Sequence, residues 1–227
     1  MTQLLRFFHM AVQSAGYDLN GEPSRLEVAG ARLYFMVAGC QSVDLYESRV
    51  RAAIDAVKTL SHKNDPVTVI FSSANPGSAG SGLTTRERHP IVLDEAAEMM
   101  ALFNEYRYAD PDFPKDIALN LDDEGSSTKT SENINLFFRK IKLQEGNNNH
   151  VVVVSSLFHL PRLCDELNAS LQASPQAISK ITVVGAENPK TRNDAKRNPN
   201  YFKSAFFEAF DLIVARSNIA EMFEMRN

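Results

Sequence analysis

Four consecutive valines, Val151 to Val154, form the segment that most constrains how this chain can fold. β-Branched residues without polar alternation are typical of a strand buried on both faces, as in a parallel sheet covered by helices on both sides. The run ends abruptly in a polar cluster that contains Ser155, Ser156, His159 and Arg162. These side chains therefore follow the carboxyl end of a buried strand, which is the edge where open α/β sheets bind ligands.

Strand-like segments alternate with helical patterns along the rest of the chain. The predicted strands are residues 31–39, 66–73, 116–121, 151–156 and 180–186. The predicted helices are residues 45–61, 92–107, 131–145, 160–172 and 201–223. This alternation is the signature of βαβ units with right-handed crossovers. The sequence therefore predicts a Rossmann-like three-layer α/β sandwich, with a mostly parallel sheet of about five strands and helices on both faces.

Residues 1–227 are predicted to form a single α/β domain, because the length suits one large core and no low-complexity linker divides it. Apolar residues recur at helical spacing in residues 1–15, which favours a helix packed on the core over a membrane-surface anchor. Charged residues interrupt this run too early for a signal peptide, and no stretch approaches the ~20 apolar residues of a membrane span. The terminal helix carries a phenylalanine stripe, for which core packing and a homodimer contact both stay open.

Two long loops follow predicted strands, residues 74–91 and 186–200, and each is either a lid or a disordered segment. The net charge of −4 and the pI near 5.8 indicate no basic stripe, so no nucleic-acid partner is expected. Cys40 and Cys164 match no zinc or redox spacing, which favours a reduced, cytoplasmic setting without excluding a disulfide. The standard fingerprints of dinucleotide-binding, P-loop, esterase and zinc-protease sites do not occur in the sequence.

Polar or small residues follow four of the predicted strands. They are Gly39 after the first strand, Ser72 and Ser73 after the second, Asp122, Asp123 and Glu124 after the third, and Ser155, Ser156 and His159 after the fourth. The carboxyl ends of parallel strands meet at one edge of a sheet, so these residues are expected to converge there. Together they predict a ligand pocket at that edge.

The segment from Glu124 to Asn133 contains the pattern of a helix start. Thr130 or Ser131 can cap a helix that begins near Glu132, an arrangement that stabilises helices in any protein. Free N–H groups at such a helix start can equally bind an anion. Glu124 can serve as a general base, as a metal ligand or as the partner of an arginine, and nothing in the local sequence decides among these roles.

The polar cluster after the valine run leads into the next helix. Pro161 suits the first helical position, which puts His159 at the mouth of the helix and Arg162 in its first turn. A cation there is unfavourable for the helix dipole, so Arg162 is expected to face an acid or an anionic ligand. Within this cluster His159 has the ordinary pKa closest to neutrality, although a histidine hydrogen-bonded inside a loop stays the alternative.

Two motifs together resemble the bacterial YdcF/SanA/ElyC family over about residues 31–172. They are Glu124-x-x-Ser127-x-x-Thr130-x-Glu132-Asn133 and Ser155-Ser156-x-Phe158-His159-x-Pro161-Arg162. Arg49 matches the arginine that the family places on its first helix, and Glu95 matches the acid that follows its second strand. The resemblance implies a Rossmann-like fold with a pocket built from these motifs, to which the helix at 1–15 and the strand and helix at 180–223 are additions. The chain has fewer glycines than the family after the first two strands, and the resemblance implies no particular reaction.

The first hypothesis about function is a hydrolase or transferase acting on a phosphorylated or other anionic small molecule. His159 would be the general acid or base, and Glu124 or Glu132 would orient it. Arg162 and Arg49 would hold the anion. The other residues expected to bind the ligand are Gly39, Ser72, Ser73, Glu95, Ser127, Thr130, Asn133, Ser155 and Ser156.

Further alternatives stay open. The carboxylates could hold a divalent cation, although no set of metal ligands is assigned. In a second hypothesis the same pocket binds a nucleotide-like or adenosyl ligand without transforming it, and Glu132 and Asn133 contact the ribose or the base. A third hypothesis is an envelope-related scaffold that works through the phenylalanine-rich terminal helix.

Overall fold

A computed structural model describes residues 2–14, 17, 31–39, 43–73, 95–125, 129–141, 148–173, 177–186, 205–207 and 209. In chain order its elements are α1 (Thr2–Ser14), β1 (Arg32–Ala38), α2 (Val43–Leu60), β2 (Pro66–Ser72), α3 (Glu95–Ala109), β3 (Ala118–Glu124), α4 (Thr130–Lys140), β4 (Asn149–Ser155), α5 (Leu160–Ala173) and β5 (Lys180–Gly185). Each of them matches a segment predicted from the sequence. Of the predicted terminal helix, residues 205–207 and 209 are described, and they are helical.

The five strands form one parallel sheet in the order β3-β2-β1-β4-β5. From β1 the chain builds outward to β2 and β3, then returns through α4 to the other side of β1 and adds β4 and β5. The strand order therefore reverses between β1 and β4. In open parallel sheets such a switch point leaves a crevice at the carboxyl ends of the two strands, and ligands bind there. The predicted Rossmann-like α/β fold is confirmed.

Two apolar clusters cover the two faces of the sheet. Alternate residues of β1 and β4, among them Met36 and Val153, pack with α1, α4 and α5, whereas Phe35 and Val152 pack on the opposite face with α2 and α3. The valine run of β4 is fully buried, so its lack of alternation reflects burial on both faces. Phe8 of α1 lies in the first cluster and is 0% exposed, which confirms that this helix packs on the core.

The third strand differs from its prediction. It ends at Glu124, so Asp122 and Asp123 lie within β3 and do not follow it. β3 is an edge strand and half exposed, and an edge strand tolerates acids that a central strand would exclude. The carboxylate of Asp122 forms an ion pair with Lys140 of α4 at 2.9 Å, so this acid contacts a helix beside the sheet.

Some further predictions concern parts of the chain that are only partly described. The loop at 74–91 and residues 187–200 of the second loop lie outside the described residues, as does Cys40. Cys164 is a buried free thiol in α5, and burial raises its pKa to about 12. Among the described residues, no helix is both long enough and apolar enough to cross a membrane.

The buried His150 should make the folded protein less stable at acidic pH. It lies at the start of β4, is 0% exposed, and bonds Thr182 Oγ1 through Nε2 at 2.8 Å. Burial, followed by the nearby charge of Lys180, lowers its pKa to about 4. In the unfolded chain His150 is protonated below pH ~6.5, whereas in the folded chain it stays neutral down to about pH 4. The neutral, buried form therefore contributes to the unfolding free energy above pH ~6.5. This contribution, at most about 3 kcal/mol, is lost as the pH falls from 6.5 to 4.

The measurement is the unfolding free energy of the wild type and of His150→Gln from pH 7.5 to pH 4. We expect the variant to lose stability less steeply below pH 6.5. An identical slope in both proteins would contradict the assignment of this acid lability to His150.

Candidate functional site

The carboxyl edge of the sheet brings together most of the residues that the sequence predicts for a site. Each main element contributes at this edge: Gly39 follows β1, Arg49 lies on α2, Ser72 and Ser73 end β2, Glu95 begins α3, Glu124 ends β3, Thr130 begins α4, Ser155 and Ser156 end β4, and His159 immediately precedes α5. The strand register aligns these ends, because Ala38 pairs with Ser72 and Ser72 with Glu124. Ser127 lies outside the described residues.

Arg49 joins the two strands of the switch point. Its Nη1 donates hydrogen bonds to the carbonyl oxygens of Ala38 at 2.7 Å and Gly39 at 2.6 Å, at the end of β1. Its Nε donates to Ser156 Oγ, after β4, at 3.0 Å. The guanidinium is therefore fixed across the crevice by three acceptors from both sides.

The charge of Arg49 is buried, since the residue is only 1% exposed. In the described part of the chain no carboxylate lies within ion-pair distance of it, and its Nη2 has no hydrogen-bond acceptor. A buried cation without a counter-charge costs several kcal/mol in a protein interior (about 3–5 by analogy with broken buried pairs). Such a group is suited to an anion that completes its coordination.

Both ring nitrogens of His159 are bonded to hydroxyl groups. Nδ1 lies 2.9 Å from Ser155 Oγ and Nε2 lies 3.2 Å from Thr130 Oγ1. A neutral imidazole has one donor and one acceptor, so one hydroxyl accepts from the ring and the other donates to it. Neither Glu124 nor Glu132 bonds a ring nitrogen, because these two hydroxyls occupy both positions.

The surroundings of His159 keep its imidazole neutral. The residue is 7% exposed, and burial, then the charges of Arg49 and Arg162, hold its pKa well below the usual range. A neutral imidazole accepts a proton but has none to release as an acid. In the unliganded protein His159 is therefore equipped as a base, and the role of general acid would require bound negative charge to raise its pKa.

Thr130 has a different role from the predicted one. The helix starts at Thr130 itself, one or two residues earlier than expected, and its N-cap residue is Lys129, which makes no side-chain capping bond. The hydroxyl of Thr130 contacts His159 instead, which joins the start of α4 to the turn before α5. The hydroxyl-rich segment before α4 thus contributes to the site through a side chain and not through a cap.

Two serines at the end of β2 hold two buried acids. Ser72 Oγ donates to Glu124 Oε2 at 2.9 Å, and Ser73 Oγ donates to Glu95 Oε2 at 2.5 Å. All four residues are at most 3% exposed. These contacts fix the carboxylates of β3 and α3 on the β2 side of the crevice, opposite the histidine.

The remaining predicted residues lie at the periphery. Asn133 is buried and Glu132 partly buried in the first turn of α4, and both make contacts, none of them with the His159 ring nitrogens. Arg162 is exposed in the first turn of α5, near enough for its charge to lower the pKa of His159. On the far side of His159, Phe158 packs edge-on against Phe8, with ring centroids 6.5 Å apart, so α1 supports the loop that carries the histidine.

Glu98 in α3 is a buried acid that none of the sequence motifs singles out. It is 1% exposed, and its Oε2 has no hydrogen-bond partner within the described ranges. The signal that could have found it is its spacing, three residues after Glu95 within a stripe of buried apolar residues. Within the described residues, no three side chains of the metal-binding types His, Cys, Asp and Glu lie together. The structure therefore assigns no ligands to a divalent cation.

Gly39 is required by the close approach of β2 and α3. A Cβ at this position would lie 2.4 Å from Ser73 Cβ and 2.8 Å from Glu95 Oε2. Real Cβ atoms essentially never make contacts that short, and the Ser73 Cβ is anchored to the backbone. We expect Gly39→Ala to lower the unfolding free energy by about 3 kcal/mol, measured by urea denaturation, since such overpacking forces the backbone to shift.

The control is Gly39→Ala in a Ser73→Gly background, which removes the closest neighbour. Relative to Ser73→Gly alone, which itself loses the hydrogen bond to Glu95, the alanine should cost at most half of what it costs in the wild type, because the remaining contact is with the end of the Glu95 side chain. If Gly39→Ala alone costs less than about 0.5 kcal/mol, typical of an ordinary surface substitution, the packing described here is wrong.

No protein-family model, no curated protein and no solved structure matches this chain. The fold and the site geometry therefore carry the functional interpretation.

Proposed function

We propose that this protein binds and acts on a phosphorylated or other anionic small molecule in the crevice between β1 and β4. The observation that carries the proposal is Arg49, a buried guanidinium fixed across the switch point without a carboxylate partner among the described residues. An arginine fork is well matched to the oxygens of phosphate or carboxylate groups. Arg162, at the mouth, would attract the same anion from solvent.

In this proposal His159 is the general base. The acceptor nitrogen of its neutral ring would take a proton from a water molecule or a second hydroxyl substrate through the Ser155 or Thr130 hydroxyl that donates to it. The oxygen of that nucleophile would bond to the phosphorus held by Arg49 as the ester P–O bond breaks, and the leaving oxygen would depart with a proton returned from the imidazolium. Ser155 Oγ and Thr130 Oγ1 fix the ring, so the proton acceptor is positioned before the substrate arrives. The reaction class is hydrolysis or group transfer at a phosphate ester or a related anion.

Membership of the YdcF/SanA/ElyC family is also a proposal. It rests on the two motifs and is supported by the way in which Arg49, Glu95, Thr130, Ser155 and His159 gather at one edge of a Rossmann-like sheet. The envelope role associated with some members of that family is not carried over to this chain.

A second candidate is a binding module for a nucleotide-like or adenosyl ligand. The observation that favours it is the lack of a carboxylate on the His159 ring: two hydroxyls hold the imidazole, and neither stabilises a protonated ring as a carboxylate would. A histidine in this setting can act as a fixed hydrogen-bonding contact to a ligand.

The test is differential scanning fluorimetry of the wild type with inorganic phosphate, pyrophosphate, AMP, adenosine, ribose 5-phosphate, ribose and S-adenosylmethionine, each with and without Mg²⁺. A ligand at 100 times its Kd stabilises by about 2.7 kcal/mol, which should raise the Tm by roughly 5–10 °C. Each stabilising compound is then incubated with the protein and followed for product, phosphorylated compounds by ³¹P NMR and S-adenosylmethionine by ¹H NMR.

Stabilisation by phosphorylated compounds with turnover supports the enzyme. Stabilisation without product over hours supports the binding module. If adenosine or ribose stabilises as strongly as its phosphorylated counterpart, or if no anion stabilises the protein, the anion-binding proposal is wrong.

A further inference from the structure

The two sides of the crevice differ in their hydrogen-bonding capacity. On the β4 side lie Arg49, with an Nη2 that has no acceptor in the described part of the chain, the neutral His159, and the charge of Arg162. We call Arg49, His159 and Arg162 the cationic side. It offers N–H donors and positive charge to a ligand.

The β2 side has the opposite character. Ser72 and Ser73 each donate their only hydroxyl proton to a carboxylate, Glu124 and Glu95 respectively. A serine oxygen that has donated its proton can only accept, and so can an ionised carboxylate. We call these four residues the acceptor side, because acceptors are the only hydrogen-bonding groups that their side chains can offer a ligand.

Glu98 is a second buried acid on α3. It lies one turn along α3 from Glu95, is 1% exposed, and its Oε2 has no donor among the described residues. A buried carboxylate oxygen that lacks a donor costs free energy, and a ligand that brings donors would recover part of that cost.

Gly39 separates the two sides at close range. Its carbonyl oxygen accepts from Arg49 Nη1 at 2.6 Å, while a Cβ on the same residue would lie 2.8 Å from Glu95 Oε2. The guanidinium and the Glu95 carboxylate therefore flank the same glycine. A small molecule held at Arg49 would have the acids of the acceptor side beside it, and a second anionic group on that molecule would be repelled by them.

We propose that the ligand is a phosphorylated sugar or another phosphate ester with several hydroxyl groups, with its phosphate on the cationic side and its hydroxyls donating to Glu95 and its neighbours on the acceptor side. This inference rests on the proposed function, since it assumes an anion at Arg49. Hydroxyl groups that donate to carboxylates make short, charge-assisted hydrogen bonds, which supply both affinity and selectivity in a buried site. A plain anion without hydroxyls leaves the acceptor side unused.

The experiment is isothermal titration calorimetry of the full chain with three probes of the same charge: methyl phosphate, ribose 5-phosphate and glucose 6-phosphate. We expect at least one of the sugar phosphates to bind ten times more tightly than methyl phosphate. In Glu95→Gln, and separately in Ser73→Ala, this ratio should fall below three. Asp122→Asn is the matched control, because this acid lies on β3 two residues before Glu124 but pairs with Lys140 on α4, and it should keep the ratio.

The outcomes separate this inference from the proposed function. If methyl phosphate binds and neither sugar phosphate binds more tightly, the anion site stands and the inference is wrong. A ratio that persists in both variants would place the hydroxyl contacts elsewhere and also overturn it. If Mg²⁺ tightens methyl phosphate binding tenfold and removes the sugar preference, the acceptor side holds a cation. If none of the three probes binds, the proposed function itself fails.

Discussion

Arg49→Met is expected to weaken the binding of inorganic phosphate by about 30-fold or more while the protein stays folded. Methionine replaces only the apolar stem of arginine and offers no donors, so the anion loses its partner in a buried site, and such losses are worth about 2–5 kcal/mol. Stability is subject to two opposed effects. The acceptors at Ala38, Gly39 and Ser156 lose their donors, while a buried charge without a carboxylate partner among the described residues is removed.

Each of those effects is a few kcal/mol, so we expect the net change in unfolding free energy to stay within about 2 kcal/mol in either direction. The matched control is Arg51→Met, two residues along the same helix. The side chain of Arg51 is 51% exposed, pairs with Glu47 and covers the Tyr106 ring. This control should bind phosphate as the wild type does. Equal phosphate affinity in Arg49→Met and in wild type would remove the anion site from the crevice.

The sequence predicts the fold well because burial patterns are local. A run of valines can only be buried on both faces, and the alternation of strand and helix periods leaves few topologies for a parallel sheet. The error at β3 has a physical cause. Its acids sit on an edge strand, where Lys140 from α4 can pair with Asp122, and no local pattern shows that the strand continues into them.

The sequence predicts where the candidate site residues lie, but not which side chains contact each other. Parallel strands carry Gly39, Ser73, Glu124 and Ser155 to one edge, and this follows from strand order alone. The contact between Thr130 and His159 joins residues that are 29 positions apart, and it depends on how α4 and α5 pack together. The sequence pattern around Thr130 predicts a helix cap, but tertiary packing directs its hydroxyl to His159 instead. A hydroxyl near a helix start does not by itself show which of the two contacts it makes.

The burial of charged side chains is the second feature that the sequence does not predict. By pattern alone Arg49 and Glu98 are polar residues on helices, where solvent is the expected neighbour, and only the family resemblance singles out Arg49. Each is 1% exposed in the folded protein. Their burial depends on which face of the helix packs against the sheet. A polar residue that interrupts a stripe of apolar residues is the sequence feature that indicates such burial, and Glu98 in α3 is an example.

His159→Gln is expected to reduce the turnover of p-nitrophenyl phosphate, or of a better phosphate ester from the ligand screen, by about 10²–10⁴-fold, since it removes the general base. Glutamine can still bond Thr130 or Ser155, so phosphate binding should persist. His150→Gln is the matched control, because His150 is equally buried but lies at the opposite end of β4. It should retain turnover.

The pH dependence of turnover provides a second, independent test of His159 as the base. In the free protein burial and the two arginines hold the pKa of His159 well below its usual range, so kcat/KM should stay level as the pH falls to 6 and below. A bound anion offsets the charges of Arg49 and Arg162, which raises the pKa of His159 in the complex. The acidic limb of kcat should therefore lie at a higher pH than that of kcat/KM, and His159→Gln should lose both limbs. Limbs that coincide, or that survive in His159→Gln, would mean that another group accepts the proton.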